Sequence, residues 1–140
     1  MRLVLDTNIL VAALIKNSVT REILIHPEME YIVSEFVFQE IELNKAEILQ
    51  KSKLSRTEFD TLLENLKENL VLVPDQEIKH KNNALEIMRA IDINDSIFIA
   101  LALSVQNEGI WSEDKHFEQQ KTIKILKTKD IIDHLGITNH

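Results

Sequence analysis

The 140-residue sequence contains no cysteine and only two glycines and two prolines. The lack of cysteine excludes thiol catalysis, disulfide bonds and thiolate zinc sites such as zinc fingers. Because 44% of the residues are hydrophobic and 28% are charged, the composition is that of a compact, helix-rich globular protein rather than a disordered or fibrous one. A chain of this length makes about one domain, so we expect a single domain over residues 1–140.

Long apolar stretches and an excess of basic residues are also missing. No apolar segment approaches the roughly 20 residues needed to span a bilayer, and the N-terminal stretch, with an acid at position 6, does not resemble a signal peptide. We therefore expect a cytoplasmic protein without membrane association. The formal net charge of −7 argues against a general nucleic-acid-binding surface, so a nucleic-acid substrate would require a local feature that offsets this charge.

Several enzyme classes have no matching motif in this chain. There is no glycine-rich phosphate loop and no nucleophile elbow, and the five histidines show no metal-ligand spacing. Asp6 follows an apolar run and could be the nucleophile of a phosphatase-like enzyme. That chemistry typically uses a second acid two positions later, and position 8 is Asn8, which counts against it.

Short apolar runs alternate along the chain with segments of helical periodicity. We predict strands at 3–5, 31–33, 71–73, 110–111 and 123–126, and helices at 8–15, 19–26, 35–51, 55–70, 76–88, 96–105 and 129–135. Ser34, Ser55 and Thr128 are predicted helix N-caps, and Gly136 is the predicted C-terminal cap of the last helix. This alternation predicts an α/β fold with a parallel sheet covered on both faces.

Two aspartates each follow a predicted strand directly. Asp6 ends the run Leu3-Val4-Leu5, and Asp114 comes shortly after Ile110-Trp111. Because the carboxyl ends of parallel strands meet at one edge of a sheet, we expect both acids at that edge, where open α/β folds bind ligands. Each also has a structural alternative, since Asp6 could be a helix N-cap and Asp114 a turn residue.

Three further acids lie on or beside predicted helices. Glu40 falls among apolar positions of its helix, which indicates either a metal-binding or catalytic role or a salt bridge, whereas Glu42 faces solvent. Asp95 starts the most apolar helix and is drawn inward, and Asp92 is better explained as a cap of the same segment. Carboxylates gathered at one edge repel one another unless a cation holds them, and an all-oxygen set selects Mg²⁺ or Mn²⁺ over zinc.

Four segments in this order resemble PIN-domain proteins, the ribonucleases that include VapC-type toxins. They are Leu3-Val4-Leu5-Asp6-Thr7-Asn8, then Ser34 followed by Glu40, then Asp92-x-x-Asp95 leading into Ile99-Ala100-Leu101-Ala102-Leu103, and Ile110-Trp111-Ser112-Glu113-Asp114-Lys115-His116-Phe117. The resemblance covers nearly the whole chain. It departs mildly from the family at Asn94, where an acid is common, and at Glu113, where Gly or Asn is common.

The resemblance implies a three-layer α/β/α sandwich around a five-stranded parallel sheet, and a Mg²⁺- or Mn²⁺-dependent endoribonuclease. It implies that the catalytic, metal-binding acids are Asp6, Glu40, Asp95 and Asp114, with Asp92 in the outer shell and Thr7, Asn8 and Ser112 in support. It also implies cleavage to 5′-phosphate and 3′-hydroxyl ends, with either one metal ion or two. Chains of this kind are often toxins that pair with a small antitoxin and form homodimers.

Candidates for substrate binding are chosen by their nearness in sequence to these motifs. Phosphate contacts are expected from Lys16, Arg21, Lys45 and Lys115, although each could instead be a solvated surface residue. His116 either assists proton transfer or is a loop residue beside the buried Phe117. The alternative to an enzyme is a non-catalytic PIN-like module that binds RNA or a protein partner.

Overall fold

The computed structural model describes residues 1–137. Its five strands are β1 (Arg2–Leu5), β2 (Glu30–Ser34), β3 (Leu70–Val73), β4 (Ile110–Trp111) and β5 (Ile125–Leu126). Its α-helices are α1 (Thr7–Ile15), α2 (Val19–Leu24), α3 (Glu35–Leu43), α4 (Lys45–Ser52), α5 (Arg56–Leu66), α6 (Lys81–Met88), α7 (Ser96–Ser104), α8 (Lys115–Glu118) and α9 (Thr128–Leu135). The predicted domain of 1–140 extends beyond the described residues. Among residues 1–137, no helix combines the length and apolarity that a membrane span requires.

The strands form one parallel sheet in the order β3-β2-β1-β4-β5. The chain starts at the centre, builds the sheet toward β3, and then returns to add β4 and β5 on the other side of β1. The order therefore reverses between β1 and β4, which makes a crevice at the carboxyl ends of these two strands. The predicted five-stranded parallel sheet of an α/β/α sandwich is confirmed.

Helices cover both faces of this sheet. Tyr31 and Trp111 lie on one face with ring centroids 5.6 Å apart, and their polar atoms bond to helices on that side. The Tyr31 hydroxyl donates to the carbonyl of Ile23 in α2, and the Trp111 indole donates to the Thr128 hydroxyl at the start of α9. On the opposite face, α7 contacts β1 and packs against α6. Both layers enclose a core of buried aliphatic side chains.

The segment predicted as one helix over 35–51 is two helices, so that prediction is wrong. The break is at Asn44, whose backbone leaves helical geometry at φ −104° and ψ 10°. Its side-chain amide donates to the carbonyl of Glu40 at 2.8 Å, and this local bond competes with continuation of the helix. Ser34 does occupy the predicted N-cap position of α3, but its hydroxyl makes no hydrogen bond to the start of the helix.

The helix predicted from position 76 begins only at Lys81. Residues 75–77 form a 3₁₀ turn, and His80 adopts a left-handed backbone at φ 61° immediately before α6. Thr128 is not the N-cap of α9, because its hydroxyl accepts the Trp111 indole proton and Lys127 occupies the cap position. The capping box at Ser55 and the left-handed cap at Gly136 (φ 67°) are confirmed.

Candidate active site

The central acid of the crevice is Asp6, which directly follows β1. Asp6 is only 4% exposed. Its Oδ2 accepts a 2.7 Å hydrogen bond from the Ser112 hydroxyl after β4, and its Oδ1 accepts a 3.3 Å bond from the Asn8 amide. Burial raises the pKa of the Asp6 carboxyl, and the nearby Asp114 charge raises it further, while the bonds from Ser112 and Asn8 act in the opposite direction. Asp6 is therefore both the N-cap of α1 and a buried acid at the point where the strand order reverses.

Three more aspartates surround the His116 imidazole. Its Nδ1 lies 3.3 Å from Asp92 Oδ2, 3.5 Å from Asp114 Oδ1 and 3.6 Å from Asp95 Oδ2. Asp114 holds His116 in place, since Asp114 Oδ1 also accepts the His116 backbone amide at 2.9 Å. One ligand atom from each of Asp92, Asp95 and His116 lies within 4.8 Å of the other two. The predicted turn and cap roles of Asp114 and Asp92 thus coexist with a shared cluster.

The effect of this arrangement is clearest in the pKa of the Asp95 carboxyl. Burial raises its pKa to about 6, and the charges of Asp92, Asp114 and Asp6 contribute in the same direction. Its Oδ2 is buried without a hydrogen bond, because the 3.6 Å separation from His116 is too long for one. The four aspartates therefore repel one another across the crevice, and among the described side chains only one titratable imidazole lies between them.

Glu40 reaches this region by a different route. Its Oε1 accepts a 2.8 Å hydrogen bond from the hydroxyl of Thr7, the residue that follows Asp6. Thr7 is buried and Glu40 is half-buried, and both line a cleft between α1 and the α3–α4 pair together with Asn8. The structure thus connects Glu40 to Asp6 through Thr7, whereas Asp92, Asp95 and Asp114 interact with one another directly.

Of the four predicted phosphate contacts, only Lys115 adjoins the acids. It is the exposed first residue of α8, next to Asp114. Lys16 is exposed at the far end of α1, about 15 Å from Asp6 by the rise of the helix. Arg21 donates from Nε to the Ala13 carbonyl at 2.9 Å, and burial lowers its pKa.

Lys45 is engaged with α5. Its Nζ lies 3.5 Å from Asp60 Oδ1 and 5.3 Å from the centroid of the Phe59 ring. These contacts hold the ammonium group against the neighbouring helix. Lys45, like Arg21, thus has a packing role in the structure that its sequence position did not indicate.

The cluster member that the sequence interpretation did not select is His116. The buried Phe117 beside it favoured a loop role, and the chain has no histidine pair at metal-ligand spacing. The informative signal is its position two residues after Asp114, because an aspartate that accepts the amide at i+2 holds that residue over its own carboxylate. This spacing brings an imidazole to the acids without any histidine repeat.

A family model described as the PIN domain matches residues 4–134. The chain belongs to the PIN-domain family. PIN domains are generally nucleases and typically use divalent metal ions, and this membership supports hydrolysis of nucleic acid as the activity. No curated protein sequence matches the chain.

The residues of this PIN domain fit a divalent cation. Asp92, Asp95 and His116 could hold one directly, and the buried Asp95 Oδ2, which accepts no hydrogen bond and has only the His116 imidazole 3.6 Å away, is an oxygen available to such an ion. The carboxylate oxygens suit a hard divalent cation and the chain has no thiolate, but the imidazole of His116 departs from the all-oxygen set expected from the sequence.

Proposed function

We propose that this protein is a Mg²⁺- or Mn²⁺-dependent endoribonuclease that hydrolyses RNA phosphodiester bonds. The observation that carries the proposal is the convergence of Asp6, Asp92, Asp95 and Asp114 on one crevice, where burial, together with repulsion from the other three aspartates, raises the pKa of Asp95 to about 6. Such an arrangement lowers the stability of the empty protein, and a bound cation would remove that cost.

The chain's own residues have separate tasks in this proposal. Asp92, Asp95 and His116 would hold the cation directly, Asp6 and Asp114 would complete its ligands, and the Ser112 hydroxyl fixes the orientation of the Asp6 carboxylate. A bound divalent ion supplies Lewis-acid chemistry and neutralises charge on the phosphate. The products expected from family resemblance carry 5′-phosphate and 3′-hydroxyl ends.

Glu40 and the basic residues complete the proposed machinery. Thr7 orients Glu40 by its 2.8 Å bond, and we keep Glu40 as a catalytic acid that approaches the substrate from the α3 side. Lys115, beside Asp114, is the side chain best placed to contact a substrate phosphate. The negative net charge of −7 is compatible with RNA because a bound cation offsets the acids where the backbone must approach.

The biological role proposed here rests on likeness to VapC-type proteins. In that role the chain is the toxin of a toxin–antitoxin pair, acts in the cytoplasm, forms a homodimer and is inhibited by a small antitoxin protein. Residues 1–140 then form the one catalytic domain. Co-expression with the product of a small adjacent reading frame tests this, since an antitoxin must relieve growth arrest caused by the chain alone.

The enzymatic proposal is tested with purified protein and end-labelled RNA. Cleavage is expected in Mg²⁺ or Mn²⁺ and is expected to be absent in EDTA and in the Asp6→Asn variant. Persistence of cleavage in EDTA or in that variant would contradict the metal-nuclease proposal. Binding of RNA by the wild-type chain without any cleavage would favour the non-catalytic module instead.

A further inference from the structure

A second cleft opens at the same edge of the sheet, on the side of β2 and β3. It has a volume of about 430 Å³ and is lined by Glu35, Phe36, Gln39, Asp75, Asn94 and Ile97. These residues come from the start of α3, the segment after β3 and the start of α7. We infer that this cleft binds a nucleobase of the RNA substrate, next to the phosphate that the acids would receive. This inference rests on the proposed function and adds to it a base-binding subsite.

The cleft adjoins the acid cluster through the backbone. Asn94 directly precedes Asp95, and its backbone amide donates to Asp92 Oδ1 at 3.0 Å, so the residue whose side chain lines the cleft is fixed to the cluster. Glu35 directly follows Ser34, and the register that pairs Val4 with Ile32 sets Ser34 beside Asp6. A nucleotide whose phosphate lies at the acids can therefore place its base in the cleft.

The Ser34 hydroxyl gives independent support for a ligand between the two sites. Ser34 is 3% exposed, yet its Oγ has no hydrogen-bond partner. A buried hydroxyl without a partner costs free energy. By the register of β1 and β2, Ser34 lies beside Asp6, and it directly precedes Glu35 of the cleft lining. A substrate that spans the two sites would supply the missing partner.

Phe36 supplies the apolar surface that a base requires. It is 41% exposed in the first turn of α3, and the half-buried Ile97 lies in the same cleft. Single-stranded RNA is recognised by bases that stack on aromatic side chains, whereas phosphates require cations. The lining contains no lysine or arginine, so this cleft suits a base rather than a phosphate.

The polar lining favours a base that carries an amino group. The amides of Gln39 and Asn94 can both donate and accept, but the Glu35 carboxylate can only accept. Asp75 is already paired, with both carboxylate oxygens 3.0 Å from Lys81 Nζ. Glu35 is therefore the acceptor that would bind an N–H group. Adenine offers an exocyclic amine, whereas the N3–H donor of uracil lies between two carbonyl oxygens that repel a carboxylate. The expected preference is for adenine over uracil.

Stacking is tested with a fluorescent reporter in the cleft. The chain's one tryptophan, Trp111, is fully buried, so Phe36→Trp introduces an indole whose fluorescence reports on the cleft. The matched control is Leu43→Trp, which alters an exposed residue (85%) of the same helix outside the cleft lining. Both are made with Asp6→Asn, which prevents the proposed cleavage, and titrated with short oligoadenylate and oligouridylate in Mg²⁺. Stronger quenching by oligoadenylate is expected for Phe36→Trp, with little change for Leu43→Trp.

Affinity and base preference give a second readout. Phe36→Ala should weaken oligoadenylate binding roughly 5-fold to 150-fold, the range for loss of one base–aromatic stack, and Leu43→Ala should not. Glu35→Gln should narrow the preference for oligoadenylate over oligouridylate, because an amide can donate to uracil oxygens, while Glu42→Gln on the same helix should leave the preference unchanged. Circular dichroism on each variant establishes that it is folded.

The possible outcomes separate this inference from the proposed function. Wild-type cleavage combined with equal quenching of the two tryptophan variants would reject the base subsite and leave the nuclease intact. Selective quenching of Phe36→Trp without any wild-type cleavage would keep the subsite and reject the nuclease. A change in oligomeric state on Phe36→Ala, measured by light scattering, would overturn the inference, because the cleft would then be a contact between copies of the chain.

Discussion

Acidic residues gather at both edges of the sheet, and their pairing differs. At the amino edge, a cleft of about 490 Å³ is lined by Glu28, Glu30, Glu68 and Glu108 among others. There Arg2 Nε lies 2.7 Å from Glu30 Oε1, and the Arg2 backbone amide donates to Glu108 Oε2 at 2.9 Å. At the carboxyl edge, Asp92, Asp95 and Asp114 share one imidazole, Asp6 lies near them, and Asp95 Oδ2 is buried without a hydrogen bond.

This difference shows that the number of acids does not identify a cation site. The amino-edge cleft is open to water, and the Arg2–Glu30 side chains are 40% and 52% exposed. Exposed pairs of this kind contribute little to stability and create no demand for a ligand. At the carboxyl edge the acids are more buried and repel one another, which raises the pKa of Asp95, and this electrostatic cost is what points to a bound cation.

The largest expected effect is on cleavage. Asp95→Asn should lower RNA cleavage by more than about 100-fold, because loss of outer-shell partners alone typically costs about 10–100-fold and Asp95 is a proposed ligand. The control at the other edge, Glu30→Gln, should leave the rate unchanged. Gel-based assays of labelled RNA measure both. If Asp95→Asn and Glu30→Gln lower the cleavage rate equally, the acids of the carboxyl edge have no special role in cleavage.

Cation binding should stabilise the folded protein through the carboxyl edge alone. At a Mg²⁺ or Mn²⁺ concentration 100 times the dissociation constant, the gain in unfolding free energy should be about 2.7 kcal/mol. Chemical denaturation with and without metal measures it. The gain should disappear in Asp95→Asn and persist in Glu30→Gln. A gain that survives Asp95→Asn would locate the ion elsewhere.

Stability without metal should fall as pH rises from about 4 to about 6. The pKa of Asp95 is about 6 in the folded chain and about 3.9 in an unfolded one, so the folded state binds more protons in this window and loses that advantage as the pH increases. The side chain is 19% exposed, and after allowance for solvent screening the change is about 1 kcal/mol. Denaturation curves across this window, in EDTA, measure it. If the unfolding free energy depends on pH in the same way in Asp95→Asn, another titratable group causes the dependence.

The smallest expected effect is at the amino edge. Glu30→Gln should change the unfolding free energy by less than about 0.5 kcal/mol, because an exposed ion pair gains little over hydration. Equilibrium denaturation at two salt concentrations measures this change. If Glu30→Gln lowers the unfolding free energy by several kcal/mol, the Arg2–Glu30 pair is a major source of stability. The two edges would then not differ in the way proposed.

Most of the fold follows from local patterns that the sequence shows directly. Apolar runs that stop at Asp6 and shortly before Asp114 predicted two strand ends at one edge, and Gly136 predicted a left-handed helix end. The break at Asn44 was not predicted, because periodic apolar residues continue across it and a single amide–carbonyl bond decides the outcome. Where local and periodic signals compete, the sequence alone does not determine which prevails.

The sequence predicted the acids of the site, but it did not predict the side chains that interact with them. Asp95 was drawn inward by its apolar helix, as the burial of that helix shows. The role of His116 was not predictable from local sequence, because it depends on a contact with Asp92. Asp92 lies 24 positions earlier in the chain and comes close to His116 only in the folded protein. Lys45 and Arg21 illustrate the converse, since both have contacts with neighbouring helices that nearness in sequence did not reveal.

The bond between Ser112 and Asp6 joins residues 106 positions apart, and this separation affects how the protein matures. Such distant contacts form late, because the intervening chain must first lose its conformational freedom. During synthesis, β1 and its helix emerge from the ribosome long before β4 is available to pair with them. A partly made chain thus holds Asp6 without Asp114, and the complete set of acids exists only after most of the protein has left the ribosome that made it.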